Sequence, residues 1–316
     1  MRDIIYGPDG NAYVASIMGK VVRYNGTTGA FIDNFVPEGT GGLSTPTGLT
    51  FGPDGNLYVG DFGSNAVLRY KGETGEFVDV FASGAGLNNP NPGLEFGPDG
   101  NLYVTSTDSA SNGVDQILRY DGTTGAFIDV FVEGNNFDFV FGPDQNLYAT
   151  EFFNDRVIRY DGEKGDFIDA FTTAVGTGGE VRGLTFGPDG DLYVVRKSNE
   201  FDGVTRFNGV TGKFIGNFAP TGRQPWGITF SPRDLSATGD YDGDGDVDGT
   251  DFLNWQIEDG SVGGLSDWRD SYGSAALQSS IIPEPTSLIT SAIGLWCILG
   301  LGRRRTSVFE TSNRRV

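Results

Sequence analysis

The chain has 316 residues, with 22 Lys and Arg against 42 Asp and Glu, no histidine and a single cysteine, Cys297. A formal charge of −20 argues against nucleic acid as a partner, because phosphate binding works through Lys and Arg displacing counterions; it suits a solvated extracellular surface or a cation binder. One cysteine excludes an internal disulfide, and 50 Gly with 13% aromatics favour turn-rich β structure over helices.

In chain order, the first signal is a repeat. Gly-Pro-Asp followed by Gly or Gln begins at Gly7, Gly52, Gly97, Gly142 and Gly187, always 45 residues apart, and a degenerate SPRD follows at Ser231. Periods of this length indicate propeller blades. Each unit reads as a short strand such as GLTF, the turn GPDG, a strand NLYVGD, a strand AVLRY, a turn KGETGE and a strand FVDVF. The first turn has a mechanism: Pro presets φ, Asp caps its own backbone and Gly accepts the positive φ that follows. The strands alternate β-branched and aromatic residues, as half-buried antiparallel strands do. Asp54 and Arg69, which recur with the repeat, read as turn chemistry and strand-end ion pairing.

The predicted fold class is therefore all-β, a propeller of four-stranded blades over residues 1–231, with five complete repeats and a sixth partial one. The complete repeats end at Phe35, Phe81, Phe131, Phe171 and Phe218, whereas WGITF at 226–230 is a first strand without partners. The favoured expectation is that an upstream segment supplies three strands to close six blades, together with a signal peptide. The rival is a five-bladed ring in which WGITF pairs with or replaces DIIY at 3–6.

The pattern P-x-G-(L/I)-x-F-G-P-D-G-N-L-Y-V, followed by (V/I)-(L/I)-R-Y and seen best in residues 46–75, resembles the NHL-type propeller repeat and its streptogramin-lyase-like and gluconolactonase-like bacterial relatives. The resemblance covers residues 1 to about 231. It implies two chemistries: the lyases use a catalytic His with a divalent metal, and the lactonases gather Glu, Asn and Asp around one metal at the channel mouth. This chain has no histidine. The residues one repeat apart after each YVx are Ser16, Asp61, Ser106, Glu151 and Arg196, of which two are carboxylates. The expectation is a non-enzymatic binding or scaffold protein with no catalytic residues; the alternative is a metal-dependent lactonase or lyase on the same propeller. An extracellular ligand, glycan or protein, is expected at the variable loops from Asn88, Thr105 and Arg196.

Beyond Ser231 the composition changes. GDYDGDGDVDGTDFLNWQ, residues 239–256, places Asp240, Asp242, Asp244, Asp248 and Asp251 at positions 1, 3, 5, 9 and 12 of an EF-hand-like loop. Gly245 stands at position 6, and Asp246 at position 7 offers its carbonyl. Oxygen ligands at these offsets wrap Ca²⁺, making residues 232–280 a small helical calcium-binding module. Asp at position 12 makes the loop resemble a dockerin, whose second loop is lacking here: GGLSDWRDSYG at 263–273 has helical spacing without the ligands.

The segment 281–305 carries Pro-Glu-Pro at 283–285, an apolar run from Pro285 to Gly302 and then Arg303, Arg304 and Arg305. It resembles a PEP-CTERM sorting signal. About 18 apolar residues can span a bilayer as a transmembrane helix, and the arginines hold the cytoplasmic side. The expected location is exported, at the cell envelope or outside it, anchored in the membrane by this helix until an exosortase-like enzyme acts. Residues 306–316 form a basic tail.

Overall fold

The computed structural model describes residues 2–108, 114–134, 136–173, 179–198, 201–220 and 226–230. They form twenty strands in five antiparallel meanders. The first blade is β1 (Ile4–Tyr6), β2 (Ala12–Ser16), β3 (Lys20–Tyr24) and β4 (Phe31–Val36). The second is β5 (Pro46–Phe51), β6 (Leu57–Asp61), β7 (Ala66–Tyr70) and β8 (Phe77–Ser83). The third is β9 (Pro90–Phe96), β10 (Leu102–Asp108), β11 (Val114–Tyr120) and β12 (Phe127–Glu133). The fourth is β13 (Asn136–Phe141), β14 (Leu147–Glu151), β15 (Arg156–Tyr160) and β16 (Phe167–Ala170). The fifth is β17 (Glu180–Phe186), β18 (Leu192–Lys197), β19 (Asp202–Phe207) and β20 (Phe214–Pro220). The expected all-β propeller of four-stranded blades is what these residues build.

One aromatic device, repeated five times, holds neighbouring blades together. The tyrosine of each second strand stacks edge-on between a phenylalanine of its own outer strand and one from the next inner strand. Tyr13 meets Phe35 at 5.0 Å and Phe51 at 5.1 Å, and Tyr58 meets Phe81 at 4.8 Å and Phe96 at 4.9 Å. Tyr103 and Tyr148 repeat this with Phe131 and Phe141 and with Phe171 and Phe186. Such edge-to-face contacts each contribute about 0.5–1.5 kcal/mol beyond area burial. The turn of one blade also rests on the outer strand before it: at Gly75 (φ +71°) a Cβ would lie 2.0 Å from the Phe35 carbonyl oxygen.

Residues 226–230 continue this order as the inner segment of a sixth position. Tyr193 stacks on Phe218 at 4.9 Å and on Phe230 at 4.8 Å, so Phe230 stands where Phe51, Phe96, Phe141 and Phe186 stand elsewhere. Gly227 lies against Asp3 of the first blade, and Gly183 of the fifth lies against the Trp226 carbonyl. WGITF therefore sits between the first and fifth blades rather than replacing DIIY, which remains paired with β2. Among the described residues no further strand pairs with it.

The repeated turns behave as expected. Asp54 accepts from the Asn56 backbone N–H (3.0 Å), the Asn56 side-chain amide (2.7 Å) and the Tyr58 hydroxyl (3.0 Å). Arg69 forks onto Asp79 and lies over the Phe81 ring at 5.1 Å. These residues organise the end of the ring opposite the loops that join one blade to the next. The expected calcium module and membrane-spanning segment lie outside the described residues, and among those described no helix is long and apolar enough to cross a membrane.

Candidate functional site

Five inner strands and residues 226–230 surround a narrow axial channel. At its centre is a cavity of about 180 Å³ lined by Asp3 to Ile5, Leu49, Thr50, Glu95, Asp138, Thr185, Ile228 and Thr229, among others. The wall is mostly uncharged for a sequence reason. Its first ring is Asp3, Gly48, Gly93, Asp138, Gly183 and Gly227, and its third is Ile5, Thr50, Glu95, Val140, Thr185 and Thr229. Asp3 and Asp138 thus stand where the other segments have Gly, and Glu95 where they have Ile, Val or Thr.

Local backbone geometry aims them inward. In β13 the pairing with β14 shifts between Asn136 and Phe139, leaving Phe137 and Asp138 as a bulge, which re-aims side chains that simple alternation would send elsewhere. Thr150 closes the bulge: its hydroxyl accepts from the Asp138 N–H (3.0 Å) and donates to the Asp138 carbonyl (3.2 Å). The Asp138 carboxylate accepts from the Phe139 N–H at 2.9 Å. Asp3 accepts from the N–H groups of Ile4 (2.7 Å) and Leu49 (2.8 Å), so one side chain ties the first blade to the second. Glu95 accepts from the Phe141 N–H at 3.1 Å, tying the third blade to the fourth.

Each of the three keeps part of its surface on the lumen, yet the ring of strands holds bulk water away. Burial pushes the Asp3 carboxyl up to about 7 against the pull of its two N–H donors, and burial pushes Glu95 up to about 7 as well. Asp138 is raised well above the ordinary carboxylate range, first by burial and then by the charges of Asp3 and Glu95. Burial is the first cause at all three, and at Asp138 the neighbouring charges add to it, so the set holds its protons above the ordinary carboxylate range.

At one end of the channel, the residues immediately preceding this first ring include Arg2, Phe137, Arg182 and Trp226. The Arg182 guanidinium lies 4.2 Å from the Trp226 ring centre and Arg2 lies 5.3 Å from it. Phe137 touches Trp226 at 5.8 Å and Phe152 at 5.1 Å. The Phe137–Trp226 contact joins the fourth inner strand to the sixth inner segment, so these rings lean over the channel end.

The loop-end positions singled out from the repeat are engaged elsewhere. Asp61 is fully buried and accepts from the N–H groups of Ser44 (3.1 Å), Thr45 (2.5 Å) and Ser64 (2.8 Å), pinning the incoming loop. Ser16 caps the Met18 N–H, and Ser106 holds the loop at Gly86 and Asn88. Glu151 pairs with Arg156. Arg196 forks onto Asp155, with its Nε at 2.7 Å, and the side chains are 4% and 6% exposed. These side chains serve as loop anchors, and among the described residues no group of three or more Cys, Asp or Glu is arranged to hold a metal ion. A larger hollow of about 360 Å³ beside Asn154, Arg156 and Thr172 carries no such set of carboxylates. The calcium positions Asp240, Asp242, Asp244, Asp246, Asp248 and Asp251 lie outside the described residues.

Sequence reasoning missed Asp3, Glu95 and Asp138. A signal was present: superposing the six inner segments shows Asp against Gly twice and Glu against Ile, Val or Thr once.

No family model matches the chain, and no curated protein matches it. Solved structures do. An inactive histidine-to-alanine variant of virginiamycin B lyase from Staphylococcus aureus with quinupristin is 19% identical, with a TM-score of 0.52 over 72% of this chain and 73% of that one. A gluconolactonase from Xanthomonas campestris is 17% identical, with a TM-score of 0.55 over 72% of this chain and 78% of that one. A streptogramin B lyase is 20% identical, with a TM-score of 0.54 over 72% of each chain. These likenesses establish the propeller fold. They also correct the expectation of a non-enzymatic chain, because these three neighbours are named as two lyases and a gluconolactonase.

Proposed function

We propose that the chain is an enzyme of the hydrolase or lyase kind that opens a small cyclic ester in the propeller channel by carboxylate acid–base chemistry. The observation that carries this reading is the presence of Asp3, Glu95 and Asp138, from three blades, on the wall of one axial cavity. Asp3 and Glu95, pushed up to about 7 in a cleft, are suited to general acid–base work because both protonation states are populated at the working pH, and Asp138, raised well above the ordinary range, is suited to give a proton. The cavity matches the substrate in size, since a space of about 150 Å³ accepts a single six-membered ring.

In hydrolysis, an ionised carboxylate takes a proton from water as its oxygen attacks the ester carbonyl carbon. A protonated neighbour then gives its proton to the ring oxygen as the acyl C–O bond breaks. One water is consumed and a hydroxy acid leaves. The inactive lyase variant has a histidine changed, a residue type this sequence lacks; on this reading the channel carboxylates carry both proton transfers.

The test is hydrolysis of single-ring lactones at pH 7 by the full chain. Asp138→Asn should lower the rate at least about 100-fold, the usual contribution of a positioned acid or base. Absence of turnover by the unsubstituted protein across a panel of five- and six-membered lactones would refute the reading.

The flanking segments complete the proposal. The Asp spacing at 240–251 supports a Ca²⁺ module, and the Pro-Glu-Pro, apolar and Arg-Arg-Arg series at 283–305 supports export, a membrane stage and processing by an exosortase-like enzyme. On this reading the channel meets its substrate outside the cytoplasmic membrane.

A further inference from the structure

Arg2 is held in a fixed place yet leaves its charge unspent. Its backbone N–H donates to the Ala15 carbonyl at 3.0 Å, and its guanidinium lies over Trp226. Among the described residues it makes no ion pair. The adjacent carboxylate, Asp3, has both oxygens occupied by backbone N–H groups. The second guanidinium on the same ring is balanced: Arg182 is 4% exposed and pairs with Glu180 at 2.9 Å. Two cations therefore share one indole, Glu180 is approached by Lys197 at 3.9 Å as well as by Arg182, and Arg2 stands at the end of the channel in a chain of formal charge −20.

We infer that the channel mouth is a recognition subsite for a small organic carboxylate: the ligand's ring enters the axial cavity and its carboxylate is received by Arg2, with the Trp226 and Phe137 rings against its body. Guanidinium is the group best shaped for this, since its forked donors match the two oxygens of a carboxylate. The half-buried aromatic rings supply an apolar face beside the fork, the usual composition of a small-molecule site. The inference rests on the channel being the site proposed above. It adds that the substrate carries an anionic substituent in addition to the bond that is opened.

The experiment measures binding, which needs no turnover and so separates this inference from the catalytic one. Benzoate and glucuronate, with benzyl alcohol and glucose as uncharged counterparts, are titrated into the full chain and followed by calorimetry and ligand-observed NMR. At least one carboxylate should bind about tenfold or more tightly than its neutral counterpart. Arg2→Gln should bring it to the neutral level without moving Tm, and Arg2→Lys should restore part of the difference. Equal affinity of acid and neutral compound, or no binding of either acid at millimolar concentration, would overturn the inference. So would an Arg2→Gln protein that loses Tm but keeps wild-type carboxylate affinity, which would make Arg2 a clamp between the first blade and Trp226. Absence of lactone turnover by the unsubstituted protein with carboxylate binding intact would sink the catalytic reading and leave this one standing.

Discussion

Glu95→Gln is expected to stabilise the protein at alkaline pH and to leave it unchanged in acid. The side chain faces the lumen, accepts one hydrogen bond from the Phe141 N–H and is pushed by burial from 4.5 to about 7. Glutamine keeps that bond through its carbonyl oxygen and removes the charge. Because the folded-state value is raised, the folded protein holds a proton that the unfolded chain has released between pH 4.5 and about 7, so wild-type stability falls as pH rises through that window. At about 1.4 kcal/mol per pH unit the penalty above pH 7 is about 3 kcal/mol, a ceiling because water in the lumen screens part of it. Relief of the repulsion on Asp138 acts in the same direction. Urea denaturation of both proteins at pH 4, 6 and 8 reads this directly: the two curves should coincide at pH 4, and the variant should be the more stable at pH 8. A stability difference independent of pH, or a variant less stable at pH 8, would show that the carboxylate is not held in a desolvated channel.

Three further outcomes are expected. Asp61→Ala, which leaves the N–H groups of Ser44, Thr45 and Ser64 without their acceptor, should cost about 3 kcal/mol or more in urea denaturation, and Asp61→Asn should recover part of it. Arg196→Met, which strands buried Asp155, should cost about 3–5 kcal/mol, and the double variant with Asp155→Leu should be more stable than the single one. Calorimetry of the full chain should show Ca²⁺ binding that Asp244→Ala abolishes; absence of Ca²⁺ heat at millimolar concentration would remove the calcium assignment.

The blades were legible because their rules are local. Gly-Pro-Asp-Gly turns, alternating strands and the 45-residue spacing each act within one unit, and the five meanders follow from them. The site was less legible because it belongs to the ring and not to a unit. Asp61 and Glu151 are the two carboxylates among the loop-end positions of the repeat, and they hold Ser44, Thr45 and Ser64 in one case and Arg156 in the other. Asp3 and Asp138 lie at the starts of the short apolar runs DIIY and DFVF, and only the ring of blades brings them to a common lumen. Glu95, inside GLEF, is a polar residue of an alternating strand, and on an inner strand its face is the channel. The pairing of Arg2 with Trp226 joins the two extremes of the propeller sequence, which no local pattern could connect.

The edge-on tyrosine stack has a consequence for the ancestry of the protein. From the second unit on, each presents a Phe on its inner strand to the unit before it, where the first has Tyr6, so front and back are complementary and a unit fits its neighbours. A gene segment of this kind can be copied in tandem without redesigning an interface. The channel carboxylates are where that freedom ended: a second-blade unit grafted in place of the fourth would keep the stack through Tyr58 and Phe81 but would bring Thr47 and Gly48 where Phe137 and Asp138 now stand. Blade identity in this propeller is written at a handful of axial positions, on a frame that is otherwise a single phrase repeated.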